Sequence, residues 1–336
     1  MLKILKDDKG IVFVLVLSVV TLFMAVVMAF RADQGMDLAH AHNFKDMLQA
    51  QYLGNAGIEA AITLLLQDDR SYDAEDEDWA KFSQYLFTAS SYLEGMIFTG
   101  TITDECSKID LNSLVKKDGD KYVAVEFRIK QLKRLMMDVL QIEIKEDEFN
   151  ELAAAIVDWL DPDDEPGMGG AESDYYQSLD EPYAAKNGPF DTPEEILLVR
   201  GMKPEWFNGN EEYEGIGKYV TVGTQGVGTQ GKINFNTASK QVLMSLAGGI
   251  TEDMVERFMD CRPIKNLEDV ESCINKTGLN TLPGEDLNAI ENMAAWLSTR
   301  FSVDVKGAMP SGAMMNVRAT LDLVNNKPQI VYYRIY

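Results

Sequence analysis

Histidine is nearly missing from this chain: His40 and His42 are the only two in 336 residues. A histidine-based zinc site or a Ser-His-Asp triad has almost nothing to be built from. Two positions apart on a helix, the pair cannot share a face, so both read as surface residues. Cysteine is scarce as well, with three, which excludes a disulfide scaffold. Basic residues are outweighed, 31 Lys and Arg against 54 Asp and Glu, for a net charge of −23. Nucleic acid held through its phosphates needs a cationic face, so the balance argues against that class of partner. The acidic balance favours hard cations, basic protein surfaces or simple solubility. No GxSxG, HExxH or comparable constellation is present, and an enzyme is not expected. What is ordinary is the apolar share, 46%, which excludes disorder of the whole chain, and the length, which predicts two or three domains.

The most informative stretch is Ile11 to Phe30, twenty residues without a charge. That matches the roughly 20 needed to cross a bilayer's hydrocarbon core. A short leader with Lys3, Lys6 and Lys9 precedes it, and the lysines place that leader in the cytoplasm and the bulk of the chain outside it. A secretory signal ends in small residues at a cleavage site after the apolar run. Here the run ends Val-Val-Met-Ala-Phe-Arg, and the small residue, Gly10, comes before it. Taken alone, the segment reads as a single-pass anchor. No proline occurs from Arg31 to Gln67, and Phe44, Met47, Leu48, Tyr52, Ala56, Ile58, Ile62 and Leu65 recur at helical spacing. The anchor is therefore predicted to continue as one helix of about 55 residues, on the order of 80 Å long. The acidic stretch from Asp68 to Asp78 ends it.

Strand-like segments lie at both ends of the chain beyond Asp78. One is Gly95–Thr103. The others hold Phe301, Val303 and Val305, then Val317, Ala319, Leu321 and Leu323, then Ile330–Tyr336. These predict one antiparallel sheet, with a helical middle inserted between its strands. The middle carries an internal repeat. Lys108-Ile-Asp-Leu-Asn112-Ser recurs as Lys232-Ile-Asn-Phe-Asn236-Thr, and Pro189-Phe190 with Glu194-Glu195 recurs as Pro263-Ile264 with Glu268-Asp269. Each Asn-Ser or Asn-Thr is expected to cap a helix, and Asp191 or Thr192 and Asn266 to open short ones.

Between the repeats lies the strongest chemical signal, Asp158-Trp-Leu-Asp161-Pro-Asp163-Asp164-Glu165-Pro-Gly-Met-Gly-Gly-Ala-Glu172-Ser-Asp174, seven carboxylates without a base. Like charges so dense call for a cation. Ca²⁺ takes six to eight oxygens, and glycines let a loop wrap around it. Asp161, Asp163, Glu165 and Glu172 fall at the first, third, fifth and twelfth places of an EF-hand-like loop, but Pro166 occupies the sixth, where that motif has Gly. The reading is an irregular calcium loop. Gly226-Val-Gly-Thr-Gln-Gly231-Lys232 approaches a phosphate loop, but Ile233 stands where a hydroxyl must bind Mg²⁺, so it reads as a linker. Cys261 and Cys273 could pair in an oxidising compartment, leaving Cys106 free; unpaired buried cysteines fit equally well.

A leader ending in Gly10 directly before an apolar helix resembles a type IV prepilin signal. That resemblance implies cleavage after Gly10 by prepilin peptidase and methylation of the new terminus, Ile11. Pilins carry Glu at the fifth mature position, which here is Leu15. Lack of that Glu is characteristic of the K-type minor pseudopilins of type II secretion. Further blocks of this chain are similar to that family: Gln51–Glu59, Asp110-Leu-Asn112-Ser, Val157–Asp161, Gly170–Tyr176, Pro182-Tyr183, Asn187–Phe190 and Asn234–Ala238. The resemblance implies an α+β, type IV pilin-like fold interrupted by a large helical insertion with two SAM-like (helix-hairpin-helix-like) modules. The implied layout is a leader (1–10), a transmembrane half-helix (11–30), the first part of the pilin-like domain (31–104), a first module with the calcium loop (105–218), a second module (219–296) and closing strands (297–336). It also implies a calcium-binding acidic loop, with Asp158, Asp161, Asp163, Asp164, Glu165, Glu172 and Asp174 as the candidate ligands.

A carboxylate within a bilayer is costly and usually paired. In a pilus the Glu is thought to pair with a neighbour's terminal amine, so a subunit with Leu15 suits the tip. The resemblance implies a tip complex with I- and J-type minor pseudopilins, contact with H-type and major pseudopilins, a bacterial inner-membrane anchor and a periplasmic bulk. The competing readings are a minor pilin of a type IV pilus, a DNA-uptake (competence) pseudopilus with helix-hairpin-helix modules, and a tethered hydrolase using the acidic loop with metals.

Overall fold

The computed structural model of the chain describes residues 8–68, 70–118, 121–223, 231–325 and 327–336. Most of the leader and of the glycine-rich stretch before Gly231 lies outside the described residues. Helix α1 runs Asp8–Gln67, 60 residues without a break. From Ile11 to Phe30 its side chains are exposed, and this half is long and apolar enough to cross a membrane. From Ala50 onward one face enters a core through Ala50, Ile58, Ala61 and Leu65. Small residues let the rod lie directly on the sheet. A Cβ on Gly57 would come within 2.6 Å of Val305 Cγ1, and one on Gly307 within 2.6 Å of the Ala50 carbonyl. A single 3-10 turn at Trp79–Lys81 leads into α2 (Phe82–Ser90), which packs beside β1 (Ile97–Asp104).

The insertion leaves from the end of β1. Its first segment holds β2 (Ile109–Asp110), the hairpin of β3 (Val115–Asp118) and β4 (Lys121–Ala124), α3 (Glu126–Arg134), α4 (Glu146–Leu160), α5 (Ser173–Gln177), α6 (Pro204–Asn208) and β5 (Val220–Thr221). β2 and β5 pair in parallel, Ile109 opposite Val220, and so close the segment. The second runs from β6 (Ile233–Asn234) through α7 (Lys240–Ser245), α8 (Glu252–Met259), α9 (Leu267–Thr277) and α10 (Gly284–Met293) to β7 (Ala294–Ala295). It is closed the same way, Ile233 opposite Ala294. The two segments share one hydrophobic core, in which Ile109, Leu135, Phe149, Trp159 and Tyr176 of the first join Phe235, Val242, Phe258 and Ile290 of the second.

The repeated asparagines explain the matched closure, and not as helix caps. Asn112 donates from Nδ2 to Phe190 O (3.1 Å) and accepts at Oδ1 from Phe190 N (2.8 Å). Asn236 does the same to Ile264, at 2.8 and 2.6 Å. Each asparagine therefore clamps the backbone of a distant chain segment. Capping falls to Asp110, which accepts from Asn112 N, to Ser239 at the start of α7, and to Asn266 at the start of α9. Pro193 stands at the first position of a 3-10 turn, Pro193–Leu198.

Three strands finish the chain: β8 (Arg300–Ala308), β9 (Met314–Val324) and β10 (Lys327–Ile335). The sheet is antiparallel throughout, in the order β1-β8-β9-β10, with Ile102 opposite Val303 and Val303 opposite Ala319. Phe82, Phe98, Phe301, Val303, Val305 and Leu321 form a second core beneath α1, and Trp79 meets Phe301 edge-on at 5.2 Å. This is the α+β pilin-like arrangement, a long helix on an antiparallel sheet, with the insertion between β1 and β8.

A polar junction seats the insertion on the sheet. Asp104, at the end of β1, accepts from Cys106 N (2.8 Å), Asn234 Nδ2 (3.0 Å), Thr237 Oγ1 (2.5 Å) and Ser298 Oγ (2.5 Å). Beside it Asp73 accepts from Arg70 Nη1 (2.7 Å) and Ser298 N (2.6 Å). Burial raises the Asp104 carboxyl and pushes Asp73 up to about 8, although these donors and Arg70 pull the other way.

Candidate metal centre

Helix α4 sets the site. Phe149, Leu152, Ile156 and Trp159 recur at helical spacing and bury one face. Glu146, Asp147 and Glu148 suit its N-terminal end, but its last turn has no basic residue and carries Asp158 instead. A carboxylate there faces the negative end of the helix dipole, where a cation would be favoured.

The chain turns out of α4 at Asp161 and wraps back toward the helix end before α5. Asp158 draws that loop in, accepting from Gly167 N at 3.2 and 3.1 Å and from the Ala171 N–H. A Cβ at Gly170 would collide with Asp158 Oδ2, and one at Gly167 would lie 2.9 Å from Oδ1. On the other side Arg200 donates to Gly170 O (2.9 Å) while its guanidinium lies 5.1 Å from the centre of the Tyr175 ring. Beneath sits an aromatic platform: Trp159 meets Tyr176 edge-on at 5.2 Å and stacks on Phe190 at 6.4 Å, and Tyr183 stacks on Tyr176.

The fold brings three of the seven candidate carboxylates together. Asp161, Asp163 and Glu172 each contribute an oxygen to a cluster whose members all lie within 4.8 Å of one another. Asp161 Oδ1 and both oxygens of Glu172 are buried without a hydrogen-bond partner among the described residues. Burial, then Asp163 and Asp158, pushes Asp161 up to about 6. Burial, then Asp158, Asp161, Asp164 and Asp163, pushes Glu172 up to about 8. Buried oxygens without donors, crowded by like charge, fit a hard cation such as Ca²⁺. The other four are placed differently. Asp158 is engaged with backbone N–H groups. Asp164 accepts from Asn187 Nδ2 at 2.9 Å. Glu165 and Asp174 are exposed. The EF-hand-like spacing therefore brings in its first, third and twelfth places but not its fifth.

One residue enters the site that its residue type did not announce. Asn187, in the left-handed region at φ 50°, also donates to Asp163 O (2.8 Å), and its own Oδ1 is buried without a partner among the described residues. The available signal was the Asn187-Gly-Pro-Phe190 block. Cys261 and Cys273 are both free thiols, the first half-buried and the second buried. At the other end of the molecule Gly10, Ile11 and Leu15 lie exposed on α1.

Two profiles of the family described as Type II secretion system (T2SS), protein K match residues 107–216 and 233–300, together slightly more than half of the chain. The chain belongs to the type II secretion system protein K family. The first profile contains the acidic loop and its aromatic platform, and the second contains the Asn236 clamp. Type II secretion system protein K of Klebsiella pneumoniae is 27% identical over 200 residues, 58% of each chain. Its counterpart from Aeromonas hydrophila is 24% identical over 290 residues, covering 82% of this chain and 83% of that one. The chain spans 58% of the length of the Klebsiella relative and of a putative type II secretion system protein K of Escherichia coli K12. In fold it is similar to a chain in the crystal structure of the GspK-GspI-GspJ complex from enterotoxigenic Escherichia coli, with a TM-score of 0.70 at 14% identity, covering 88% of this chain and 99% of that one.

Proposed function

We propose that this chain is the minor pseudopilin at the tip of a type II secretion pseudopilus, joined there to I- and J-type minor pseudopilins and priming assembly of the fibre that drives export across the outer membrane. The observation that carries this reading is where the insertion sits. Ile97 pairs with Ala308 at the sheet end nearest Ala50, and Asp104 pairs with Phe301 at the opposite end. The insertion leaves and re-enters at that far end, beyond the last turn of α1. A subunit so crowned has nowhere to accept another stacked above it. Leu15 agrees, since an apolar side chain offers no acceptor to another subunit's terminal amine. Family membership and the likeness to a GspK-GspI-GspJ structure support the partner set.

On this reading prepilin peptidase cleaves after Gly10, Ile11 becomes the methylated terminus, α1 is anchored in the inner membrane and the rest is periplasmic. Ca²⁺ is held by Asp161, Asp163 and Glu172, with Asn187 alongside. It neutralises the loop and ties α4 to α5.

Co-purification from detergent of the full chain, expressed with its I- and J-type partners, tests the assembly. A stable complex of the three is expected. Gold labels on the chain should appear at one end of isolated fibres; labels spaced along the shaft would overturn the reading. Intact mass should show loss of residues 1–10, and Gly10→Val should retain them.

A further inference from the structure

The acidic stretch that ends α1 folds onto the junction between the insertion and the sheet. Asp68, Asp73 and Glu77 each bring a carboxylate oxygen into a cluster whose members all lie within 4.8 Å of one another. Asp73 is fully buried, and the Asp68 side chain is only 10% exposed. A fourth carboxylate, Asp104, meets Asp73 across Ser298, which donates its N–H to Asp73 Oδ2 (2.6 Å) and its hydroxyl to Asp104 Oδ2 (2.5 Å). The Asp73 backbone is held as well: its N–H donates to Trp296 O (2.8 Å) and its carbonyl accepts from Asn234 Nδ2 (2.9 Å). The loop after the rod, the second segment and the approach to β8 therefore meet at one residue.

Among the described residues, one cation serves these four acids. Arg70 donates from Nη1 to Asp73 Oδ1 at 2.7 Å and from Nη2 to the Ser298 carbonyl, and its Nη1 stands 3.9 Å from Asp68 Oδ2, outside hydrogen-bond reach. Asp68 Oδ2 is buried and has no hydrogen-bond partner among the described residues. The other cations around the junction are committed elsewhere. Lys108 pairs with Glu105 and Arg300 with Asp322, Arg262 donates to Ala238 O (2.5 Å), and Lys265 lies 4.4 Å from the centre of the Tyr72 ring. The Cys106 thiol, just beyond Asp104, adds no positive charge. Hydrogen bonds decide where charge is tolerated: Asp104 accepts four, and Glu77 Oε2 accepts from Ala74 N (2.8 Å) and Trp79 Nε1 (3.0 Å). Asp68, Asp73 and Glu77 still carry more negative charge than one guanidinium balances, and surplus charge in a buried space is relieved by taking up a proton.

We propose that the Asp68–Asp73–Glu77 cluster holds a shared proton and acts as a pH-sensitive latch, which fastens the end of α1 to the insertion and the sheet and loosens as the pH rises. A metal ion suits this cluster less than a proton does. Arg70 Nη1 already stands between Asp68 and Asp73, and both Asp73 oxygens have N–H donors. Burial raises the Asp73 carboxyl from 3.8 to about 8, against the pull of Arg70 and of the Ser298 N–H, and burial raises Glu77 too. The proton belongs to the trio and not to one oxygen. The latched state holds a proton that the opened loop releases. Its advantage is therefore complete below pH 3.8 and is lost as the pH rises through about 8. Beyond that point like charges push the loop away from Ser298.

The test is amide hydrogen exchange on the full chain in detergent with EDTA, read on the peptides that carry Asp73 and Ser298 and corrected for intrinsic rates. Between about pH 6 and about pH 8 their protection should fall by up to about tenfold per pH unit, the slope of one released proton. Asp68→Asn puts an N–H where Oδ2 lacks a donor and removes one charge, so it should lose most of that slope. Glu77→Gln keeps an oxygen for Ala74 N and Trp79 Nε1 and should flatten the slope as well, which covers a failure of the first variant to fold. Protection that stays constant with pH in the unaltered chain, or that falls as steeply in the variants, would overturn the latch. So would recovery of protection at about pH 8 when excess Ca²⁺ is added to the chain carrying Asp163→Ala and Glu172→Ala, because the cluster would then be a metal site.

Discussion

Asp104 and Glu172 are buried to the same degree, each 3% exposed, and their surroundings are opposite. Asp104 receives four hydrogen bonds, from Cys106 just after β1, from Asn234 and Thr237 of the second segment, and from Ser298 just before β8. Glu172 receives none among the described residues and faces Asp161 and Asp163. Burying a carboxylate costs free energy unless donors or a cation replace the lost water. At the junction the chain supplies that replacement itself. Around Glu172 it supplies none among the described residues, and the proposed cation would take that place. Two acidic clusters that look alike in composition thus differ in kind: one joins the two halves of the molecule, the other leaves carboxylate oxygens without donors, as the proposed ion site requires.

The sharpest way to break this contrast is to delete one carboxylate of each kind. Asp104→Ala strands several buried donors and should destabilise the full chain by about 3–5 kcal/mol in thermal or urea unfolding. Glu172→Ala, measured in EDTA, removes a buried carboxyl that no donor satisfies and should cost less than about 1 kcal/mol or even stabilise. Equal losses would mean that both clusters are satisfied from within.

Calcium should give the next effect. At a concentration one hundred times its dissociation constant it should add about 2.7 kcal/mol of stability, which EDTA removes. Asp163→Ala with Glu172→Ala should abolish the response. No change in melting temperature on chelation would remove the case for a metal centre.

A smaller effect should appear with pH. Glu172 is raised from 4.5 in an unperturbed chain to about 8 in the fold, so the folded form holds a proton that the unfolded form has released. Without metal, its stabilising contribution is complete below about pH 4.5 and is lost as the pH rises to about 8. Asp73, also raised to about 8, acts with the same sign. Glu172→Gln should therefore flatten only part of the fall in melting temperature, and saturating calcium should flatten the same part in the unaltered chain. An unchanged slope in Glu172→Gln would show that Glu172 is already paired.

The smallest effects belong to the exposed acids. Glu165→Gln and Asp174→Asn should change calcium affinity, measured by titration calorimetry, by less than about threefold, since exposed charges act through screened fields. A loss of a hundredfold in either would redraw the ligand set.

The outline of the fold was readable along the chain. An unbroken apolar run and helical spacing foretold α1, period-two alternation foretold β8 and β9, and a strand-like composition foretold β1, because a helix or strand is selected by the pattern of neighbouring residues. The acidic loop was equally plain, and its membership was not. Composition cannot tell Asp158, which is held by glycine N–H groups, from Asp161 three residues later, which is left without a donor. Asn112 and Asn236 looked like caps because their partners lie 78 and 28 residues away.

What the amino-acid sequence determined by itself, then, was the rod, the strands, the density of negative charge and the presence of two cysteines in one module. Tertiary structure decided which carboxylates share a space, which are saturated and which asparagines clamp. The reason is physical. Secondary structure follows from sterics and periodicity over a few residues, whereas the state of a buried polar group depends on which donors the fold carries to it from far along the chain.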